Sequence, residues 1–235
     1  MDFAVSYRYQ SLQDQLSVPL INLKVANHTE FQFFRRAWTT RLQRNTPGLF
    51  FLSSTGQLVY HESYLERQIL LCEDFQHQAT WVIDQPFQLH FDGHRHVPDF
   101  LVLSANQPKV IDVRHSKFLS TERFVASRNA MEEAMEQLGW TYEVRSEPAQ
   151  QFFVNLDWLS GFRRTPPDLE LFAPKIYTCL ESSAQTLKDL LKFVGHELFS
   201  RPVVFYLIWK RILEVDLYAP FSDDMEVDLC KEVLA

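Results

Sequence analysis

The sequence of 235 residues has only six glycines, only three cysteines and no long apolar run. Without a glycine-rich loop it has neither a Walker A motif nor a dinucleotide-binding fingerprint, which argues against P-loop ATPases, kinases and Rossmann dehydrogenases. Cys72, Cys179 and Cys230 are odd in number and far apart, which fits a reducing compartment rather than a disulfide framework or a cysteine-rich zinc site. The longest apolar run, 203–209, is far shorter than the ~20 residues of a membrane-spanning helix.

Positive charge is also scarce, because 23 Lys and Arg stand against 30 Asp and Glu, for a net charge of −7. Residues 1–58 have a net charge of +3, whereas 59–165 and 166–235 each have −5. A protein that binds DNA tightly by itself is usually basic, because phosphate neutralisation drives affinity. We therefore expect weak nucleic-acid binding by the chain alone, or binding with help from a partner.

An apolar share of 46% is typical of a globular protein. No basic start followed by an apolar stretch is present, so we expect no signal peptide and a cytoplasmic location. Two consecutive prolines in the segment 163–168 predict a linker, since they interrupt regular structure. We expect a domain over 1–164, of which 1–49 is a basic N-terminal extension, and a second domain over 168–235.

Before the linker, short segments have the alternation and turn residues of strands, and two longer ones have helical spacing. Asp92-Gly93 is a strong signal for a two-residue hairpin turn. The predicted strands are 50–52, 58–60, 81–83, 87–91, 97–103, 110–113 and 140–144. The predicted helices are 64–72 and 121–138. A strand, a helix and a strand over 110–144 predict a parallel crossover, and hence an α/β fold with a mixed sheet flanked by helices.

After the linker, Leu187, Leu190 and Leu191 have helical spacing, and Pro202 is expected to begin a second helix that runs to about residue 213. The segments 215–217 and 226–229 are predicted strands. Two helices followed by a two-stranded wing predict a small winged-helix domain. Its second helix is very apolar and has few residues suited to reading bases, so we expect this domain to bind a protein partner.

The residues with the clearest chemical pattern are Asp99, Asp112 and Arg114. Asp112 and Arg114 lie two positions apart on a predicted strand, so both project from one face. Charged groups are costly to bury without partners, and a divalent cation between Asp99 and Asp112 supplies one. Mg²⁺ prefers oxygen ligands, and bound there it would activate a water and neutralise charge on a phosphodiester.

Four blocks of the sequence resemble the PD-(D/E)xK nuclease superfamily and, within it, TnsA, the endonuclease subunit of heteromeric transposases. They are His61 to Arg67, Asp84 to Phe87, Pro98 to Val102 and Val110 to Arg114. The resemblance covers about residues 50–160 and predicts a restriction-endonuclease-like fold. The C-terminal pattern Leu207-Ile208-Trp209, Val215-Asp216-Leu217 and Pro220 is similar to the winged-helix domain of that family.

The resemblance implies a Mg²⁺-dependent site, with Mn²⁺ as an alternative, that cuts the 5′ strand at transposon ends. Glu66, Asp99 and Asp112 match the metal ligands of the family. Arg114 stands where the family has lysine, and an arginine stays protonated, so it stabilises phosphate charge but cannot act as a general base. Lys117, three residues later, is a second candidate for that place. The implied partners are DNA, a DDE-type transposase subunit and a AAA+ regulator ATPase.

Each of these residues also has a structural interpretation. Ser63 and Glu66 have the spacing of a capping box, in which Glu66 reaches back to the start of its own helix. Asp99 would be a turn residue, and Asp112 with Arg114 an ion pair or an edge-strand pair. Two other functions stay open: a nuclease fold that acts as a structural or targeting adaptor without cutting, and a stand-alone restriction or repair nuclease.

Three histidines, His90, His94 and His96, suggest zinc at first sight. If Asp92-Gly93 is the turn, His90 pairs with residue 95 and lies on the other side of the sheet from His94 and His96, so three-histidine ligation fails on geometry. Separately, a basic arm near several aromatic residues would either meet DNA phosphates or be a solvated helix face. Its arginines are Arg35, Arg36, Arg41 and Arg44.

Overall fold

The longer part of the chain, Met1–Glu147, forms a mixed α/β unit. The computed structural model describes residues 3–9, 16–23, 31–32 and 46–230, so the predicted basic arm over 35–44 lies outside the described residues. The elements of this unit are β1 (Ala4–Tyr9), β2 (Leu16–Pro19), β3 (Phe31–Gln32), β4 (Gly48–Leu52), β5 (Gln57–His61), α1 (Tyr64–Gln76), β6 (Ala79–Asp84), β7 (Gln88–Phe91), β8 (His94–His96), β9 (Phe100–Ser104), β10 (Lys109–Val113), α2 (Glu122–Leu138) and β11 (Thr141–Arg145).

In the described part of this unit, the strands form two sheets and a separate hairpin. One sheet has the order β2-β1-β7-β8, with β3 also paired to β1, and the other has the order β11-β10-β9-β6. The β4–β5 hairpin confirms the strands predicted over 50–60. β10 is parallel to β11 and antiparallel to β9, which confirms the crossover through α2. Gly139 ends α2 in the left-handed conformation, with φ of 68°, as a helix-terminating glycine does.

The segment 97–103 was predicted as one strand that pairs with 87–91, but the pairing strand is β8, which ends before it, and residues 97–99 connect β8 to β9. β8 ends at His96 in the first sheet and β9 begins at Phe100 in the second. A proline has no N–H to give to a strand ladder, so the chain leaves one sheet here and enters the other. The hairpin before it has the predicted register, in which Leu89, His90 and Phe91 face His96, Arg95 and His94. Asp92 and Gly93 both have positive φ, as such a turn requires.

The second unit, Pro148–Ala235, is also mixed α/β. Its elements are α3 (Gln150–Leu159), α4 (Leu169–Leu180), β12 (Gln185–Thr186), α5 (Leu187–Val194), α6 (Glu197–Trp209), β13 (Leu213–Glu214) and β14 (Glu226–Leu229). The strands pair in the order β12-β14-β13. The chain divides before α3 and not at 163–168, because α3 packs into this unit. Leu156 and Leu159 are fully buried, and the Trp158 ring meets Phe205 edge-on with centroids 4.6 Å apart.

Two elements of the second unit differ from the prediction. α6 begins at Glu197, before Pro202, because a proline in the second turn removes one backbone hydrogen bond without ending the helix. The segment predicted as a strand over 215–217 is a turn, in which the Asp216 carboxylate accepts a hydrogen bond from the Tyr218 N–H at 2.8 Å. The strand lies two residues earlier, where Leu213 pairs with Leu229.

Candidate functional site

Asp112 lies on the central strand β10, between β9 and β11. Its residue surface is only 2% exposed. Alternate residues of a strand point to opposite faces, so Lys109, three positions earlier, points away from it. The Lys109 Nζ instead lies 2.8 Å from Oε2 of Glu73 on α1. The nearest lysine on this strand is therefore engaged on the other face of the sheet.

Asp99 lies directly after Pro98, where the chain enters the second sheet. Its N–H donates to the Ile111 carbonyl at 3.1 Å, and its Oδ2 accepts a hydrogen bond from the Val113 N–H at 2.6 Å. These bonds hold Asp99 against the end of β10. Asp99 and Asp112 line one cavity of about 670 Å³, so the fold brings together the two carboxylates that the sequence predicts as a pair.

The electrostatics of this cavity are dominated by negative charge. Burial raises the pKa of Asp99 well above its usual range, and the charges of Asp112, Glu66 and Glu62 raise it further, against the opposing effect of the Val113 N–H. Like charges close together in a poorly solvated place disfavour ionisation. A bound cation would remove this penalty, and the ionised carboxylates would in turn stabilise the cation.

The Asp112 carboxylate is oriented by two side chains from different sheets. Its Oδ2 is 2.7 Å from His96 Nε2 and accepts a hydrogen bond from the Tyr142 hydroxyl at 2.6 Å. Burial, and then the charge of Asp112, raise the pKa of Tyr142, which therefore stays protonated and donates. The other oxygen, Oδ1, is buried and has no hydrogen-bond partner among the described residues. Buried polar atoms normally have a partner, so this oxygen is a candidate ligand atom.

Glu66 lines the same cavity but is held at the start of α1. The Ser63 hydroxyl accepts from the Glu66 N–H at 3.2 Å and donates to Glu66 Oε1 at 2.8 Å. Glu66 Oε2 accepts from the Glu62 N–H at 2.6 Å. The structural interpretation of Glu66 as part of a capping arrangement is therefore realised, with the amide of Glu62 in place of that of Ser63.

The two candidate cations of the motif have different positions. Arg114 lines the cavity, and its guanidinium lies over the rings of Phe118 and Phe124, 5.6 Å and 5.3 Å from their centroids. Within the described residues Arg114 makes no ion pair with Asp112, contrary to the structural alternative for that pair. Lys117 is exposed, is not among the residues that line the cavity, and has its Nζ 4.9 Å from the centroid of the Phe118 ring.

The donor set suits a hard divalent ion with few protein ligands. In the described ranges, no group of three or more His, Cys, Asp or Glu side chains is arranged to hold a metal ion. Mg²⁺ is commonly bound through one or two carboxylates and keeps several waters. The Asp99 and Asp112 carboxylates, with the unpartnered Oδ1 of Asp112, fit that description.

The histidines do not form a common site. His90 Nε2 lies 2.8 Å from the Ser6 hydroxyl, whereas His96 bonds Asp112, and His94 is exposed near the hairpin turn. The register that argues against three-histidine ligation is the one observed.

The sequence reasoning did not identify His96, Arg95 and Arg123, which line this cavity, or Tyr142, which donates a hydrogen bond to Asp112, as site residues. His96 and Arg95 come from the hairpin strand of the first sheet, Arg123 from the start of α2 and Tyr142 from β11. Of these residues, only Tyr142 could have been found from the sequence. The parallel crossover pairs it with Val110, which lies on the same face of β10 as Asp112.

In comparisons with known proteins, no protein-family model matches this chain and no curated protein matches it significantly. Among the helices in the described residues, none is long and apolar enough to cross a membrane.

Proposed function

We propose that this chain is the metal-dependent DNA endonuclease subunit of a heteromeric transposase, and that it cleaves the 5′ strand at transposon ends. The observation that carries the proposal is the pair Asp99 and Asp112 in one cavity, with the pKa of Asp99 raised by burial and by like charges. Within the described residues neither Asp99 nor Asp112 is ion-paired to a lysine or arginine, and carboxylates left in this state are suited to a divalent metal.

In this proposal Asp99 and Asp112 would hold Mg²⁺ or Mn²⁺, and Glu66 would have to leave its hydrogen bonds at the start of α1 to add a third carboxylate. The metal, when bound, supplies an activated water and neutralises charge on the phosphodiester. His96 and Tyr142 keep the Asp112 carboxylate in one orientation, as outer partners of a metal ligand do. Arg114 stabilises the phosphate charge at the rim, while Lys117 would have to move to reach it.

The fold supports the proposal at two places. β9, β10 and β11, with α2 crossing between parallel strands, give the mixed sheet on which a restriction-endonuclease-like site is built. In the second unit, α5 and α6 are joined by a short turn containing Gly195 and are followed by β13 and β14. That element order supports a winged-helix domain. Its proposed partners are the DDE-type transposase subunit and the AAA+ regulator ATPase.

A second candidate is a nuclease-fold subunit that targets or organises the complex without cutting. It is favoured by the state of Glu66, whose two carboxylate oxygens accept hydrogen bonds at the start of α1, and by Arg114 in place of a lysine. A stand-alone nuclease of the same superfamily is the third candidate, and the genes beside this one discriminate it from a transposition subunit.

The deciding experiment reconstitutes the chain with the transposase subunit and the ATPase on transposon-end DNA, with Mg²⁺ or Mn²⁺, and maps nicks on the 5′ strand. Nicking by the wild type that is lost in Asp99→Ala supports the endonuclease. Absence of nicking by the wild type, with nicking gained in Arg114→Lys, supports the adaptor. Cutting of plain duplex by the chain alone supports the stand-alone nuclease.

A further inference from the structure

Two arginines border the carboxylate cavity and a second cavity next to it. Arg95 lies on β8 and Arg123 in the first turn of α2, and both line the two cavities. The second cavity measures about 1040 Å³, lies between the β7–β8 hairpin and α2, and is also lined by His90 and His94. Because they share these arginines, the two cavities are adjacent, and we call the pair the groove.

The charges of these arginines are not compensated within the fold. Both side chains are exposed, and neither forms an ion pair or a side-chain hydrogen bond with any residue in the described ranges. Arg128, further along α2, differs because its Nε lies 3.6 Å from Glu132 Oε1. Guanidinium groups without a carboxylate partner are suited to bidentate binding of phosphate oxygens.

The distribution of charge along the groove has a direct consequence for a polyanion. The carboxylate cavity is lined by Glu62, Glu66, Asp99 and Asp112, whose ionised forms repel phosphate in the absence of a bound cation. The affinity for a phosphodiester backbone therefore has to come from the arginines that line the groove. With a net charge of −7 for the whole chain, a few positions that attract phosphate dominate binding.

We propose that Arg95 and Arg123 bind backbone phosphates of a DNA strand and lead it from the carboxylate cavity into the second cavity. The identity of the polyanion as DNA rests on the proposed function. The two arginines come from different elements, a hairpin and a helix, so they fix the direction of the strand as well as its affinity.

The test measures binding of a fluorescently labelled duplex by anisotropy with the full chain in EDTA, over a series of NaCl concentrations from 50 mM. EDTA removes any contribution from metal-dependent cutting. Each contacted phosphate contributes about 0.9 to the slope of log K against log salt. We expect Arg95→Gln and Arg123→Gln each to reduce that slope by about one, and the double variant by about two.

Arg128→Gln is the matched control, since it removes the same charge from the same helix, and it is expected to keep the wild-type slope. Arg95→Lys and Arg123→Lys are expected to keep most of it, because slope follows charge. Circular dichroism melts of the same samples confirm that each variant is folded. Equal slopes for the double variant and Arg128→Gln, or absence of binding by the wild type at 50 mM NaCl, overturn the proposal.

The outcome separates this inference from the proposed function. If binding depends on Arg95 and Arg123 but the reconstituted complex never nicks DNA with Mg²⁺ or Mn²⁺, the strand path stands and the nuclease fails. If the complex nicks DNA and the double variant binds and nicks like the wild type, the nuclease stands and the strand path fails.

Discussion

A buried carboxylate lies on each face of β10, and the two differ in the charged groups around them. On one face, Glu73 is 3% exposed and is neutralised by Lys109 at 2.8 Å and by Arg145, whose guanidinium nitrogen lies 3.6 Å from Oε1. On the other face, Asp112 is equally buried, but among the described residues it has no lysine or arginine ion pair. Its hydrogen-bond partners are the Tyr142 hydroxyl and His96, and Asp99 is a neighbouring carboxylate.

The difference shows that burial of an acidic residue does not by itself mark a site. A buried carboxylate that its own chain neutralises is a structural element, and removing one partner leaves a costly unpaired charge. A buried carboxylate beside like charges lowers the stability of the folded state. Such a cost indicates that something outside the chain completes the arrangement.

The largest expected effect is the loss of nicking when the charge of Asp112 is removed. Asp112→Asn keeps the size and the contacts to His96 and Tyr142 but removes the charge, so we expect 5′-strand nicking by the reconstituted complex to fall by roughly 100-fold or more. The free energy of unfolding, measured with urea, should change little because no chain cation loses its partner. Nicking at the wild-type rate would exclude Asp112 from the reaction.

The opposite face should respond in the opposite sense. Glu73→Gln removes the buried anion of Lys109 and Arg145, which keep only Glu143, whose Oε2 lies 4.0 Å from Lys109 Nζ and 2.7 Å from Arg145 Nε. We therefore expect the free energy of unfolding to fall by about 2 kcal/mol. This is less than the full cost of a broken buried pair, because the side chains of Lys109 and Arg145 keep 17% and 36% exposure. Urea denaturation of this variant beside Asp112→Asn measures the contrast, and equal stability of the two contradicts it.

A smaller effect is expected from loosening Asp112 without changing its charge. Tyr142→Phe removes one of the two donors to Oδ2, and we expect about a tenfold loss of Mn²⁺ affinity, measured by calorimetry, with a similar loss of nicking. Tyr218→Phe, at a tyrosine that is 66% exposed in the second unit, serves as control and should leave both unchanged. Unaltered Mn²⁺ affinity in Tyr142→Phe would show that the hydroxyl does not position the ligand.

The smallest effect concerns Asp84, at the end of β6, whose pKa is raised to about 6 by burial, with the charge of Glu62 adding to the shift. The folded state therefore holds this proton more tightly than the unfolded state, and the stabilisation is present at low pH and lost as pH rises from about 4 to about 6. We expect about 1 kcal/mol, below the full equivalent of the shift because Asp84 is only partly buried.

The measurement compares urea unfolding of the wild type and Asp84→Asn across this range of pH. The difference in unfolding free energy should shift against the wild type as pH rises. A difference that does not vary between pH 4 and pH 7 rules out the effect.

Local patterns predicted much of the fold because each depends on neighbours in the sequence. The Asp92-Gly93 turn predicted the hairpin register, and helical spacing over 121–138 between two predicted strands predicted the crossover. The end of the strand before Pro98 was not predicted, because apolar residues continue on both sides of a proline that cannot donate to the strand ladder.

The site was predicted less completely than the fold. Asp99 and Asp112 lie on adjoining segments, and motif spacing was enough to associate them. His96 and Tyr142 bond Asp112 from strands of different sheets. Arg95 and Arg123 line the same cavity only because the β7–β8 hairpin lies beside α2. Such contacts follow from tertiary geometry, for which a single sequence has no period or spacing.

The connection through Pro98 links the two sheets directly beside the carboxylate cavity. His96, the last residue of one sheet, bonds Asp112 in the other, and Asp99 follows three positions later on the far side of the proline. A cation bound by Asp99 and Asp112 would therefore hold the segment that connects the two sheets against β10. Its capture should slow amide hydrogen exchange along β7 and β8, whose own side chains need not touch the ion.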